Sequence, residues 1–233
     1  MATIYLLRHG QASFGQHDYD RLSPLGERQA LITGEWLAAL GKTFKLAGCG
    51  TLLRQQQTLT GVHSGMGNAD KVPDLTLPGL NELDVDDLVL TANPEYTDRK
   101  ALDAAIAKMP NPALAFFEAY RTALARWTSG EHDSEYQESW PQFKIRTLDA
   151  IQQTASKLGE HDSAVLVSSG GAISAIMLQL LNIPDDEVFN LNQQIHNASI
   201  TMIKVRRGKL SLHSFNSYAH LEVKGEQKLL TRI

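Results

Sequence analysis

Ile4 to Leu7 form an unbroken apolar run close to the start of the chain, the pattern of a central strand covered on both faces. Ser23-Pro24 then supplies an N-cap followed by proline at the first helical position. The helix it opens runs past Leu37 and Leu40 and is expected to stop at Gly41. A second strand is predicted over Phe44–Cys49, with a helix from about Arg54. Val72–Leu77 is a weaker strand candidate, because Pro73 suits a sheet edge better than its centre.

From residue 86 to about 158 the period changes. Ala113, Phe116, Phe117, Tyr120, Leu124 and Trp127 follow helical spacing, as do Leu148, Ile151, Ala155 and Leu158. Their aromatics read as core, and Gly130–Ser134 as a surface loop between two helices. Ala164–Val167 is a further buried strand, followed by a helix with Ile173, Ile176, Met177, Leu180 and Leu181 on one face. Ser199–Val205 and Leu210–Phe215, joined at Arg206–Lys209, read as a hairpin. Strands and helices thus alternate in the first and last thirds, around a helical insertion. The class this predicts is α/β: one domain over 1–233, a three-layer αβα sandwich around a mostly parallel sheet.

Composition narrows the function. The 233 residues are 42% hydrophobic and 21% charged, with a formal net charge of −4, so no basic footprint for nucleic acid or an anionic membrane is present. An anionic substrate would need a locally cationic pocket. Cys49 is the single cysteine and cannot form an internal disulfide; it reads as a small buried strand residue. Neither a leader pattern nor a membrane-length apolar run is seen, which makes a cytoplasmic protein the expectation.

Several motifs fail on inspection. Gly41-Lys42-Thr43 lacks the first P-loop glycine, where Trp36 stands. Gly65-x-Gly67 ends on Asp70 and follows a helix, so it is no dinucleotide fingerprint. The eight histidines form no metal-type pair, and Ser168-Ser169 is not a nucleophile elbow. Asn197-Ala198-Ser199 is a glycosylation sequon without meaning in the cytoplasm. No metal or organic cofactor is implied.

What survives is a set of strand ends. Arg8-His9-Gly10 follows the first strand, Arg54 the second, Leu80-Asn81-Glu82 the third candidate, and Ser168-Ser169-Gly170-Gly171 the later buried strand, where it opens a helix. Carboxyl ends of strands are where open α/β sheets bind ligands, and a helix N-terminus suits an anion. A cation beside an imidazole suits a phosphoryl group attacked by a ring nitrogen.

With these motifs the chain resembles the histidine phosphatase superfamily, the phosphoglycerate mutase-like fold. RHG at Arg8–Gly10, LSPLGERQA at Leu22–Ala30, LLRQQQT at Leu52–Thr58, LNE at Leu80–Glu82 and the final Asn216…His220-Leu221 carry the resemblance. It implies that His9 is the nucleophile and becomes a phosphohistidine. Arg8 and Arg54, with Ser169 and Gly170, would hold the phosphoryl oxygens, and Glu82 would protonate the leaving oxygen and then activate water. The insertion would roof the pocket.

One departure matters. The family pattern V-S-H-G-G has a histidine where this chain has Ser169, a neutral hydroxyl in place of a charged donor. Losing one preorganised donor costs roughly 10²–10³ in rate, which slows an enzyme without removing its nucleophile. Two readings follow. One is a phosphatase acting on a small phosphorylated molecule with reduced turnover; the other is a phospho-ligand-binding protein of the same fold. Glu82 favours the enzyme, since a pure anion binder gains nothing from a carboxylate. A mutase ranks below both, because Gly15 stands where mutases carry asparagine and the segment after Glu82 is acidic rather than basic. His17 and His196 are candidates to stand in for the missing histidine.

Overall fold

The computed structural model describes residues 1–13, 20–71 and 73–232. Its single sheet has the order β3-β2-β4-β1-β5-β6, built from β1 (Ala2–Arg8), β2 (Leu46–Cys49), β3 (Leu75–Thr76), β4 (Ser163–Ser168), β5 (Ile200–Arg206) and β6 (Lys209–Ser217). β1, β2, β3 and β4 pair in parallel, and β5 runs antiparallel to both β1 and β6. The sheet is therefore mixed and mostly parallel, as the α/β pattern predicted. β3 is shorter than expected and lies at the edge, beside Pro73. Val72 falls outside the described residues.

Alternation within the central strands builds the layers. Tyr5 and Leu7 of β1, with Val165 and Val167 of β4, pack with Leu37, Leu59 and Val62, which come from α1 (Pro24–Ala39) and α2 (Leu53–Gly65). Ile4 and Leu6, with Ala164 and Leu166, face Ala150, Ile151, Ile173 and Ile176 on the other side. Each side chain is fully or almost fully buried, so both faces of β1 are covered and the strand reads as continuously apolar.

Local signals set the element ends. The Ser23 hydroxyl accepts the Gly26 N–H at 3.0 Å, Pro24 is the first residue of α1, and Gly41 takes φ +64° just past its end. β2 begins later than expected, at Leu46. Phe44 instead leaves the sheet and packs its ring edge against Tyr5, 5.3 Å between centroids.

The middle stretch holds α3 (Val85–Ala92), α4 (Arg99–Ile106), α5 (Pro112–Thr128) and α6 (Trp140–Ser156). Trp127, Trp140 and Phe143 form its aromatic centre, with Trp127 5.0 Å and 5.3 Å from the other two rings. α6 serves two cores. Trp140 and Phe143 join the helical cluster, whereas Ala150, Ile151 and Ala155 pack beneath the sheet. Phe117 is 37% exposed, although it shares the spacing of its buried neighbours. Leu181, at the end of α7 (Gly170–Leu181), is 46% exposed, because the helix has passed the sheet by then. α8 (Val188–Gln194) leads to β5, and α9 (Ala219–Glu222) follows the predicted hairpin.

Candidate active site

β1 ends at the site. The His9 N–H donates to the Ser168 carbonyl at 2.9 Å, continuing the β1–β4 ladder by one residue. Gly10 then lies so close to the Gly26 carbonyl that a Cβ would collide with it. Its N–H donates to Thr58 Oγ1 at 3.0 Å. α1 and α2 thus fix the loop after β1 from two directions.

The His9 ring is buried, and its Nδ1 stands 2.7 Å from the Gly10 carbonyl. A carbonyl can only accept, so Nδ1 carries the proton and Nε2 keeps its lone pair. The Arg54 Nε–H donates to that Nε2 at 3.2 Å. Burial, followed by the charges of Arg54 and Arg8, holds the His9 pKa well below the ordinary histidine value. The imidazole is neutral and its free nitrogen faces a guanidinium.

Both arginines are anchored. Arg8 Nη1 donates to the Ile195 carbonyl, and Arg54 Nη1 pairs with Asp20 Oδ1 at 2.6 Å. Asp20 also accepts the Leu53 N–H at 2.8 Å, capping α2 where Arg54 leaves it. The Arg8 guanidinium lies against the start of α7 beside Gly170, where a Cβ would strike Asn192 Oδ1.

Glu82 reaches the same helix end. Its Oε2 accepts the Gly171 N–H at 3.1 Å and its Oε1 the Leu83 N–H at 3.0 Å. The Gly171 amide, expected for a phosphate, is taken by this carboxylate. The loop carrying Glu82 is held by Asn81, whose Oδ1 accepts the Thr51 N–H at 2.7 Å, and by Arg146. Arg146 donates to the Gly79 and Asn81 carbonyls at 2.9 Å while its guanidinium pairs with Glu138 and lies over the Phe143 ring.

Ser169 is buried at the N-cap position of α7, but its side chain makes no capping bond. Its Oγ instead accepts the Gln55 amide at 2.8 Å. Arg8, His9, Arg54, Glu82, Ser169 and Gly170 are thus linked through the ends of β1 and β4 and the starts of α2 and α7. The acidic start of α3 does not join them. Asp84 caps that helix, Asp86 pairs with Arg99 at 2.5 Å, and Asp87 accepts the Gln137 N–H.

His196 cannot supply the missing positive charge. Its Nε2 stands 3.1 Å from Arg232 Nε, its ring stacks on Tyr218, and burial with nearby Arg232 lowers its pKa. Gly15 and His17 lie outside the described residues. Asn197, read as half of a sequon, is a structural residue of the site. It is fully buried, its Nδ2 donates to the His9 carbonyl at 3.3 Å, and its Oδ1 accepts from Thr231 Oγ1 at 2.9 Å. Only its position just before a strand could have raised suspicion, and no short-range signal names its partner. Gln55 and Arg146 were equally invisible, since each acts on residues far away in sequence.

A mostly parallel α/β sheet that gathers a neutral imidazole, two guanidinium groups and a carboxylate at its carboxyl edge defines a protein built to handle an oxyanion. The chain belongs to the histidine phosphatase superfamily (branch 1), which it matches over residues 4–218. It is 24% identical over 212 residues to the mitochondrial serine/threonine-protein phosphatase PGAM5 of Xenopus laevis, spanning 90% of this chain and 62% of that relative's length. Among solved structures it resembles Bacillus stearothermophilus YhfR, with a TM-score of 0.68 and 18% identity, covering 95% of this chain and all of that one. A phosphoserine phosphatase variant from Entamoeba histolytica, in complex with phosphoserine, gives a TM-score of 0.63 at 21% identity with the same coverage. No helix among the described residues is long and apolar enough to cross a membrane.

Proposed function

We propose that this protein hydrolyses a small phosphomonoester through a phosphohistidine on His9. The observation that carries the reading is the tautomer: Nδ1–H is committed to the Gly10 carbonyl, which leaves Nε2 as the nucleophilic lone pair. Nε2 attacks phosphorus while the bond to the leaving oxygen breaks. Arg54 shifts its Nε–H from the ring nitrogen to a phosphoryl oxygen, and Arg8 and Ser169 hold the others. The bond from Nδ1 to Gly10 supports the positive charge that grows on the ring. Glu82, as the carboxylic acid, gives its proton to the leaving oxygen, then takes one from the water that attacks the phosphohistidine and returns His9 to its neutral form.

The size of the substrate follows from charge. Asp20 pairs with Arg54, and Glu82 sits at the start of α7, where Arg8 also lies, so little surplus positive charge remains for a densely phosphorylated ligand. Phosphatases among the structural relatives, the phosphoserine enzyme included, are consistent with a single small phosphoryl group. Helices α3–α5 pack through Leu88, Leu124 and Trp127 against Ala172 and Ala175 of α7, which supports reading them as the cap over the pocket.

The test is an acid-sensitive phosphoenzyme. Mixing the protein with an aryl phosphate and quenching rapidly should trap one phosphoryl group on His9, and His9→Ala should abolish both the adduct and phosphate release. Turnover that survives His9→Ala would sink the mechanism. Tight phosphate binding without any turnover would leave the phospho-ligand-binding reading in its place, one that the neutral Ser169 donor favours.

A further inference from the structure

Ser169 and Gln55 meet in a way that fixes the direction of a proton. The Gln55 atom 2.9 Å from the Leu80 carbonyl must be the amide nitrogen, because that carbonyl can only accept. The same nitrogen stands 2.8 Å from Ser169 Oγ. Both of its hydrogens are then placed, one on each acceptor, and the Ser169 oxygen is an acceptor in this pair. The Ser169 proton must point elsewhere. Among the described residues nothing accepts it, although the side chain is wholly buried at a helix N-cap, a position where serine ordinarily bonds the first turn.

The surroundings say where that proton goes. Ser169 follows Ser168, whose carbonyl holds the His9 N–H, and Gln55 follows Arg54, whose Nε meets His9 Nε2. Consecutive residues at the start of α2 therefore address the nucleophile and the serine. Ser168 is not available for the task, since its own hydroxyl donates to Leu80 at 2.8 Å. Gly50 is required beneath the pair, because a Cβ there would strike the Gln55 Oε1 and Asn81 Oδ1 atoms.

We propose that Gln55 is a positioning residue, which holds the Ser169 oxygen so that its hydroxyl proton is donated to the transferring phosphoryl group above His9. This rests on the phosphatase reading above. It also gives the chain a neutral donor pair, glutamine behind serine, in place of a charged side chain at position 169. The pair takes the place of an imidazole at this position, since the Gln55 amide stands only 2.8 Å from the Ser169 oxygen, closer than a ring built from the same Cβ could accept without displacing it.

Steady-state hydrolysis of p-nitrophenyl phosphate tests this with five variants. Ser169→Ala is expected to lower kcat roughly 10²-fold, with KM changed far less, since the donor acts on charge that develops in the transition state. Gln55→Met keeps the length of the side chain and removes its N–H groups, and should lower kcat roughly 10- to 100-fold. The double variant should be no slower than Ser169→Ala alone, because both changes remove the same hydrogen bond. Ser169→His should fail to improve on the native protein, whereas Gln55→Ala/Ser169→His should exceed Ser169→Ala.

A native kcat in Gln55→Met, or losses that multiply in the double variant, would overturn the proposal while His9-dependent turnover left the phosphatase reading intact. Should Gln55→Met fail a thermal-melt check of folding, Ser169→Ala decides: a native kcat there overturns the proposal equally. A native protein that releases no phosphate overturns both.

Discussion

Arg54 Nε donates to His9 Nε2 across 3.2 Å, so a permanent cation is bonded to the very nitrogen that would otherwise take up a proton. Protonating Nε2 would set N–H against N–H, and burial already disfavours the imidazolium. His9 should therefore remain neutral at pH values well under 6.5, and kcat/KM should keep its value as pH falls through that point. Arg54→Gln removes a positive neighbour, which raises the His9 pKa and moves the acid limb of kcat/KM toward higher pH. Ring titration of His9 by NMR in both proteins checks the direction. A His9 that titrates near 6.5 in the native protein contradicts it.

Glu82 is the general acid of the proposed mechanism. Glu82→Gln can keep only one of the bonds to Leu83 and Gly171, because Oε1 and Oε2 each accept one of them and an amide nitrogen cannot accept. Its effect should then depend on the leaving group. Loss of the general acid is worth roughly 10²–10⁴ in rate for an alkyl phosphate and much less for an aryl phosphate whose phenolate departs unaided. Equal losses on the two substrates would remove Glu82 from proton transfer.

Asn197 links the His9 backbone to Thr231. Asn197→Ala leaves the buried His9 carbonyl and the Thr231 hydroxyl each short of a partner, at a cost of about 1–3 kcal/mol in stability. Because His9 is displaced as well, kcat should fall by more than the change in folded population explains. Denaturant unfolding paired with kcat at a temperature where the variant is fully folded separates the two effects.

His220, the last of the family-pattern residues, lies within the fold rather than at the site. It is buried against Trp36, bonded to Thr33 Oγ1 at 3.0 Å, and burial pushes its pKa down from 6.5 to about 4. The unfolded chain binds this proton first. Its stabilising contribution is thus complete above pH 6.5 and is lost as pH falls from there toward 4, about 3 kcal/mol in all. His9 and His196, also depressed by burial, act in the same direction. Urea midpoints between pH 7 and pH 4 should fall steeply, and His220→Gln should flatten part of that slope.

The elements that the sequence revealed are those made by local signals. Ser23-Pro24 caps its helix through atoms three residues apart, Gly41 ends it, and the continuous apolar run of β1 reports two covered faces. The charged site residues were legible for a related reason, since Arg8 ends β1, His9 follows it, and Arg54 and Glu82 lie on the segments that leave β2 and β3, so the sheet carries them to the shared edge. What stayed hidden depends on contacts between distant residues. Gln55 meets Ser169, Asn197 meets His9, and Arg146 meets the Glu82 loop, with no periodicity or turn chemistry to betray any of them. The acidic run at Asp84–Asp87 likewise showed only its charge in the sequence, while its partners, a helix cap, an ion pair with Arg99 and a bond to Gln137, come from the fold.

The place of β1 in the sheet has a consequence for how the protein is made. The strand that leads to His9 is synthesised before the rest of the sheet, yet both neighbours it pairs with, Ser163–Ser168 and Ile200–Arg206, come in the last third of these residues. Central pairings of such long sequence separation close slowly, after the local helices have formed. On the ribosome this apolar strand must therefore wait, unpaired, until the last third of these residues has been made. The His9 carbonyl gains its bond from Asn197, and Asn197 its bond from Thr231, only once these late residues have been added, so a truncated chain carries the Arg8-His9-Gly10 motif without that part of its framework.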